Sequence, residues 1–156
     1  MNSLAMALSS AAFLASVARD PAEVNRFASE LIELSTRHNF VYWLALGTIW
    51  RGWARSALGN PVEGISWMEQ GIRDIRATGS VLGLPAHLAR KAKALHLADR
   101  TSEALETINE ARALAQRFEQ RFWCAELHRL RGVFLATGPF SRPKKRREIK
   151  LRCRVQ

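Results

Sequence analysis

Apolar residues along the chain fall into seven segments with helical spacing, and the segments alternate between two kinds. One kind carries a single apolar stripe: Val24, Phe27, Leu31 and Leu34; Ile65, Met68, Ile72 and Ile75; Leu105, Ile108, Ala111 and Leu114. Steps of three and four residues put such positions on one side of a helix, so each segment is predicted to lay one face on a core. These segments follow Asp20-Pro21, Asn60-Pro61 and Thr101-Ser102, where Asp, Asn and Thr can accept from free N–H groups and proline fits a first turn. The other kind is apolar on most sides, as in residues 40–58, and is predicted to be packed between neighbours.

The alternation has a fixed step. Ala12, Gly52, Ala92 and Gly132 are forty residues apart without a gap, as are Pro21 and Pro61, and Glu23, Glu63 and Glu103. Leu58 and Ala98 share another column, beside Gly59 and Asp99 at a turn. A period of this size marks a solenoid, whose units must stack because none can bury its apolar face alone. The small column has a steric reason: a side chain larger than Gly or Ala would hold two crossing helices apart. Gly64 with Ala104, and Gly71 with Ala111, would serve the facing helix. The fold class expected is therefore all-α, a helical-hairpin solenoid of about seven helices over residues 1–138, with a basic, disordered tail at 139–156.

These columns resemble the tetratricopeptide repeat, which has a small residue in its first helix, a glycine-containing turn, and two small positions in its second. Gly52, Gly59, Gly64 and Gly71 match in one unit, and Ala92, Ala104 and Ala111 in the next, with Asp99 at the turn. The usual unit is shorter, so the helices here should be longer; the conventional Trp, Tyr and Pro positions are mostly absent. The runs Gly47 to Ile65, Arg76 to Pro85 and Phe122 to Leu135 also look like the C-terminal repeat region of large bacterial signalling proteins. Those proteins join a class III adenylate/guanylate cyclase domain to a P-loop ATPase and then to helical repeats, the repeats serving as a sensor or interaction module. The resemblance implies a ligand-facing groove lined by the first helices, at Trp53 and Ser56, Lys93 and His96, and Glu126 and Arg129. A mixed aromatic and charged groove suits a protein or peptide segment.

Charge changes the picture little. The net charge is +10, but residues 142–154 hold eight Lys/Arg against one Glu and so account for +7 of it. The basic character belongs to the tail, where Lys144, Lys145, Arg146 and Arg147 could hold an anionic ligand, rather than to a folded face. No aromatic residues interleave with these cations, which argues against single-stranded nucleic acid. The apolar spacing of a further second helix, due from about residue 141, is missing. Trp123, Leu127, Leu130 and Phe134 should then lose their cover, leaving a sticky end prone to self-association.

Catalytic chemistry finds no support. There is no phosphate-binding glycine loop, and the four histidines are dispersed; His87 and His96, nine residues apart, should face opposite ways on one helix. Cys124 and His128 sit one turn apart without the third ligand a zinc site needs. Glu103, Glu106 and Glu110 fall at helical steps near Arg112 and Arg117, as a solvated face would. No catalytic, cofactor or metal site is expected. The five tryptophans read as wedges between helices, Trp53 excepted. Two separated cysteines fit a reducing cytoplasm, and the uncharged stretch from Met1 to Ala18 is at the short limit of the roughly 20 residues that a membrane span needs. The expected role is a non-catalytic interaction or sensor module of a bacterial signalling protein. The alternatives are a basic-tailed binder of nucleic acid or anionic surfaces, and a non-catalytic remnant of a cyclase-linked protein.

Overall fold

A computed structural model of the chain describes residues 2–137, and the candidate anion-binding residues Lys144 to Arg147 therefore lie outside the described residues. Those described form seven α-helices: α1 (Asn2–Val17), α2 (Pro21–His38), α3 (Val41–Ala57), α4 (Pro61–Ala77), α5 (Leu84–Leu97), α6 (Thr101–Arg117) and α7 (Cys124–Thr137). A single 3-10 turn, Arg121–Trp123, leads into α7. Among the described residues no helix is long and apolar enough to cross a membrane.

Local chemistry sets most boundaries. The Asp20 carboxylate accepts from the Glu23 N–H at 3.0 Å, with Pro21 in the first turn of α2. Asn60 precedes Pro61 in the same way but its side chain accepts nothing. Thr101 is not a cap: Arg100 takes that position, and Thr101 is the first residue of α6, with its hydroxyl 3.1 Å from His96 Nδ1. The turns between helices repeat as well. Arg19, Gly59 and Asp99, forty residues apart, have positive φ, and so do Asn39, Gly79 and Glu119. The first column lies within a unit and the second between units. Four of the six positions thus hold a side chain where glycine is unstrained.

Each helix packs on its neighbours in the chain, and in addition α1 touches α3, α3 touches α5, and α5 touches α7. This packing of adjacent helices fits a helical repeat. The even helices bury one stripe each: Val24, Ala28, Leu31 and Ser35 in α2, Ile65, Met68, Ile72 and Ile75 in α4, and Ala104, Ile108, Ala111 and Ala115 in α6. Phe27, Leu34, Leu105 and Leu114 are only partly buried, at the stripe edges.

The α3/α4 pair is the closest. A Cβ on Gly52 would stand 2.6 Å from the Gly64 carbonyl oxygen, and one on Gly71 2.6 Å from that of Ala45. Backbone meets backbone there, which no other residue permits. Ala12 and Ala92, in the Gly52 column, are fully buried, whereas a Cβ on Gly132 would meet nothing within 4 Å among the described residues.

The last helix corrects one expectation. Leu127, Leu130 and Phe134 are buried rather than uncovered, because these steps of three and four residues form the inward face of α7, which packs on α5 and α6. Trp123 is partly buried. Among the described residues, the uncovered side of α7 carries Gly132 and Leu135 instead.

Strict repetition breaks at the starts of the third and fourth units. The second unit opens straight into α3 at Val41, but in the third unit Gly79 and Gly83 hold positive φ and residues 78–83 stay non-helical, so α5 starts only at Leu84. In the fourth, the first turn is the 3-10 turn at 121–123. Gln120 stitches the two segments: its Oε1 accepts from the Gly83 N–H at 3.1 Å, and its Nε2 donates to the Val81 carbonyl at 2.8 Å.

Candidate functional site

Because the odd helices touch one another, their free faces form one continuous surface. A groove of about 910 Å³ runs along it. Three repeat columns line it in register: Phe13, Trp53, Lys93 and Val133; Val17, Ala57 and Leu97; and, from the column of Ser10 and Trp50, Arg90 and Leu130. Positions 10, 13 and 17 are steps of three and four residues, so one helical face is presented by each successive unit. The charged side chains in the groove are Arg19, Arg90, Lys93, Arg129 and Glu126, four cations to one carboxylate.

Of the residues expected at the groove, Trp53, Lys93, His96, Glu126 and Arg129 all line it. Ser56 does not. It is buried between α3 and α4, its hydroxyl donating to the Gly52 carbonyl at 3.0 Å, because the close glycine contact draws that face of α3 against α4. Glu126 bridges the others, 2.9 Å from Lys93 Nζ and 2.7 Å from Arg129 Nε. The Arg129 hydrogen bond foremost, and Lys93 next, hold its carboxyl down at about 2, despite partial burial. His96 packs on Phe134 with ring centroids 4.7 Å apart and the planes tilted by 35°, and its Nε2 lies 3.2 Å from the Thr137 hydroxyl.

A second cavity of about 520 Å³ adjoins the groove, sharing Phe13, Ala86, Arg90 and Trp123 with it. It sits where the repeat is interrupted, since Leu82 and Gly83 of the 78–83 segment and Phe122 and Trp123 of the 3-10 turn form part of its wall. Leu82 (69% exposed) and Phe122 (84% exposed) stand at its mouth. Arg90 is the group between the two spaces. Its guanidinium lies 4.2 Å from the centroid of the Trp50 ring, and its Nη1 is 3.1 Å from His87 Nδ1. Arginine can only donate, so His87 accepts through Nδ1 and its one proton sits on Nε2. Burial, and then the Arg90 charge, push the buried His87 down to about 3, which keeps it neutral and able to accept. Desolvation lowers Arg90 to about 10, so it stays charged at neutral pH. Among the described residues it forms no ion pair.

His87, Arg90, Trp50 and Trp123 were not singled out in the sequence as binding residues. The signal was present in the forty-residue step: Trp50 and Arg90 share one column, next to the column of Trp53 and Lys93 on the same face. Cys124 is partly buried and His128 exposed, and no group of three or more metal-binding side chains exists among the described residues.

Comparison with known proteins places the chain near an uncharacterised protein. An uncharacterised protein of Rhizobium meliloti (strain 1021) is 27% identical over 129 residues. The match covers 83% of this chain and 12% of that protein, so the chain spans a small part of its relative's length. No protein-family model matches the chain. No solved structure matches it either.

Proposed function

We propose that the chain is a tetratricopeptide-like solenoid working as a non-catalytic interaction and sensor module of a larger bacterial signalling protein in the cytoplasm, and that its groove takes an acidic protein or peptide segment. The groove itself carries this reading: one helical face, repeated through four units, builds a continuous concave lining with four cations, one carboxylate and the Trp53 ring. Such a surface offers apolar burial for an anchor side chain and charge complementarity for acidic flanks. The bacterial relative, of which the chain spans 12%, fits a module within a longer protein.

Peptide selection from a displayed random library tests the proposal, with Trp53→Ala/Lys93→Glu as the counter-selected protein. Enriched sequences should combine Asp or Glu with an aliphatic or aromatic anchor, bind at least tenfold more weakly to the counter-selected variant, and weaken as salt rises. Failure to enrich, or equal binding to the variant, contradicts it.

A further inference from the structure

We infer that the cavity beside Arg90 is a binding site for a small apolar carboxylic acid, an organic monoanion with an aliphatic or aromatic body. The inference rests on the sensor half of the function proposed above and does not depend on the peptide half. Its first support is size and surface: about 520 Å³ is in the usual range for small-molecule sites, and the wall is chiefly apolar and aromatic, with Phe13, Tyr42, Trp50 and Trp123 among its residues.

Its second support is charge. Several cations on the helices are matched by carboxylates, as Arg26 is by Glu23 and Glu30, Arg100 by Glu103, and Lys93 by Glu126, while exposed cations without one among the described residues, such as Arg19 and Arg51, are left to water. Arg90, partly buried and lining the cavity, has only a neutral imidazole and the Trp50 face. Glu126, the one carboxylate in the adjoining groove, is engaged by Lys93 and Arg129. A cation removed from water without a counter-charge is costly, and an anion entering the cavity would supply that charge. His87 fixes the direction of the fork: by accepting from Nη1 it uses one guanidinium N–H and leaves others for a ligand. Its own Nε2–H, beside Gly83 in the cavity wall, has no partner among the described residues. The remaining guanidinium N–H groups suit the two oxygens of a carboxylate.

Shape sets the other half of the specificity. The third unit gives up its first helical turn to the 78–83 segment, and the 3-10 turn at 121–123 faces it, pinned by Gln120. The cavity mouth is formed by exposed Leu82 and Phe122, which would cover an apolar body but offer nothing to a sugar or phosphate.

Titration calorimetry on the full chain with octanoate and phenylacetate, each against its primary amide, tests the inference. The acids should bind at least tenfold more tightly than the amides, which have the same shape and no charge. Arg90→Met should abolish the difference and Arg90→Lys keep part of it. Phe122→Ser, at an exposed position that should not disturb folding, should weaken both acids severalfold. Equal binding of acid and amide, no binding of either acid, or unchanged binding to Arg90→Met or Phe122→Ser overturns it. If the acids fail while acidic peptides still select the groove, this inference falls and the interaction module stands; the reverse pattern removes the peptide reading alone.

Discussion

The second and third repeat units occupy the same columns and have come to differ in opposite ways. Residues 41–77 form two full helices whose crossing is closed by Gly52, Gly64 and Gly71, backbone on backbone. The third unit has Ala92, Ala104 and Ala111 in those places, all fully buried, and begins with a non-helical segment. Where the second unit sets the nearly fully buried Trp50 in the cavity wall, the third sets Arg90. One unit is built for close packing, and the other exchanges part of its helix for a cavity wall and a cation. A repeat tolerates such exchange because each unit contacts chiefly its neighbours.

The sharpest way to break this comparison is to swap the small residue of one column. Gly52→Ala should cost about 3 kcal/mol or more, since the new Cβ meets the Gly64 carbonyl and backbone must move. Ala92→Gly should cost about 2 kcal/mol, from helix propensity and one lost buried methyl. Urea unfolding monitored by circular dichroism reads both. Equal costs would mean that the two helix pairs are packed alike.

A pH series probes the third unit alone. His87 binds a proton in the unfolded chain below its ordinary 6.5 but in the folded chain only near 3, so stability should fall as pH drops through that window. By pH 5 the loss is about 2 kcal/mol. Glu126, depressed from 4.5 to about 2, adds to the loss only below 4.5. His87→Gln should therefore flatten the profile between pH 6.5 and 5 and leave the steeper acid limb. A wild-type slope in that variant would show that His87 is not held neutral in the fold.

Smaller effects extend the column. Gly132→Ala should stabilise by about 1 kcal/mol, because the added Cβ enters open space on α7 and removes a mid-helix glycine. Destabilisation there would reveal a partner packed on that side. Glu119→Gly, at a positive-φ turn, should raise stability by about 0.5 kcal/mol, as should Arg19→Gly, measured as a small rise in melting temperature.

The helices were legible because their apolar spacing and the forty-residue step agree, and the small column foretold the close crossing at Gly52. Thr101 misled because a threonine beside a turn looks like a cap, while His96, the residue its hydroxyl meets, lies in the preceding helix. Ser56 misleads for a related reason: the groove positions that the resemblance implies belong to a shorter repeat, and in this one the glycine contact turns that residue into the α3/α4 seam. The uncovered residues of α7 were misplaced because an apolar stripe does not say which neighbour it faces. His87 reads in the sequence as one of four dispersed histidines, and Arg90, though in the Trp50 column, carries no sign there of the cavity beside it. Only the joining of α1, α3 and α5 brings them to Trp50 and to a cavity.

The most direct measurement is the indole N–H spectrum of the chain labelled at its five tryptophans, recorded during titration with octanoate. If the interrupted third unit has made a binding site on the concave face, the signals of Trp50 and Trp123 in the cavity wall should shift saturably. Those of Trp43 and of Trp67, which lies on α4 near Arg51, should stay in place. Shifts confined to Trp43 or Trp67, or no saturable shift at all, would contradict the assignment of that face as the place where this repeat binds.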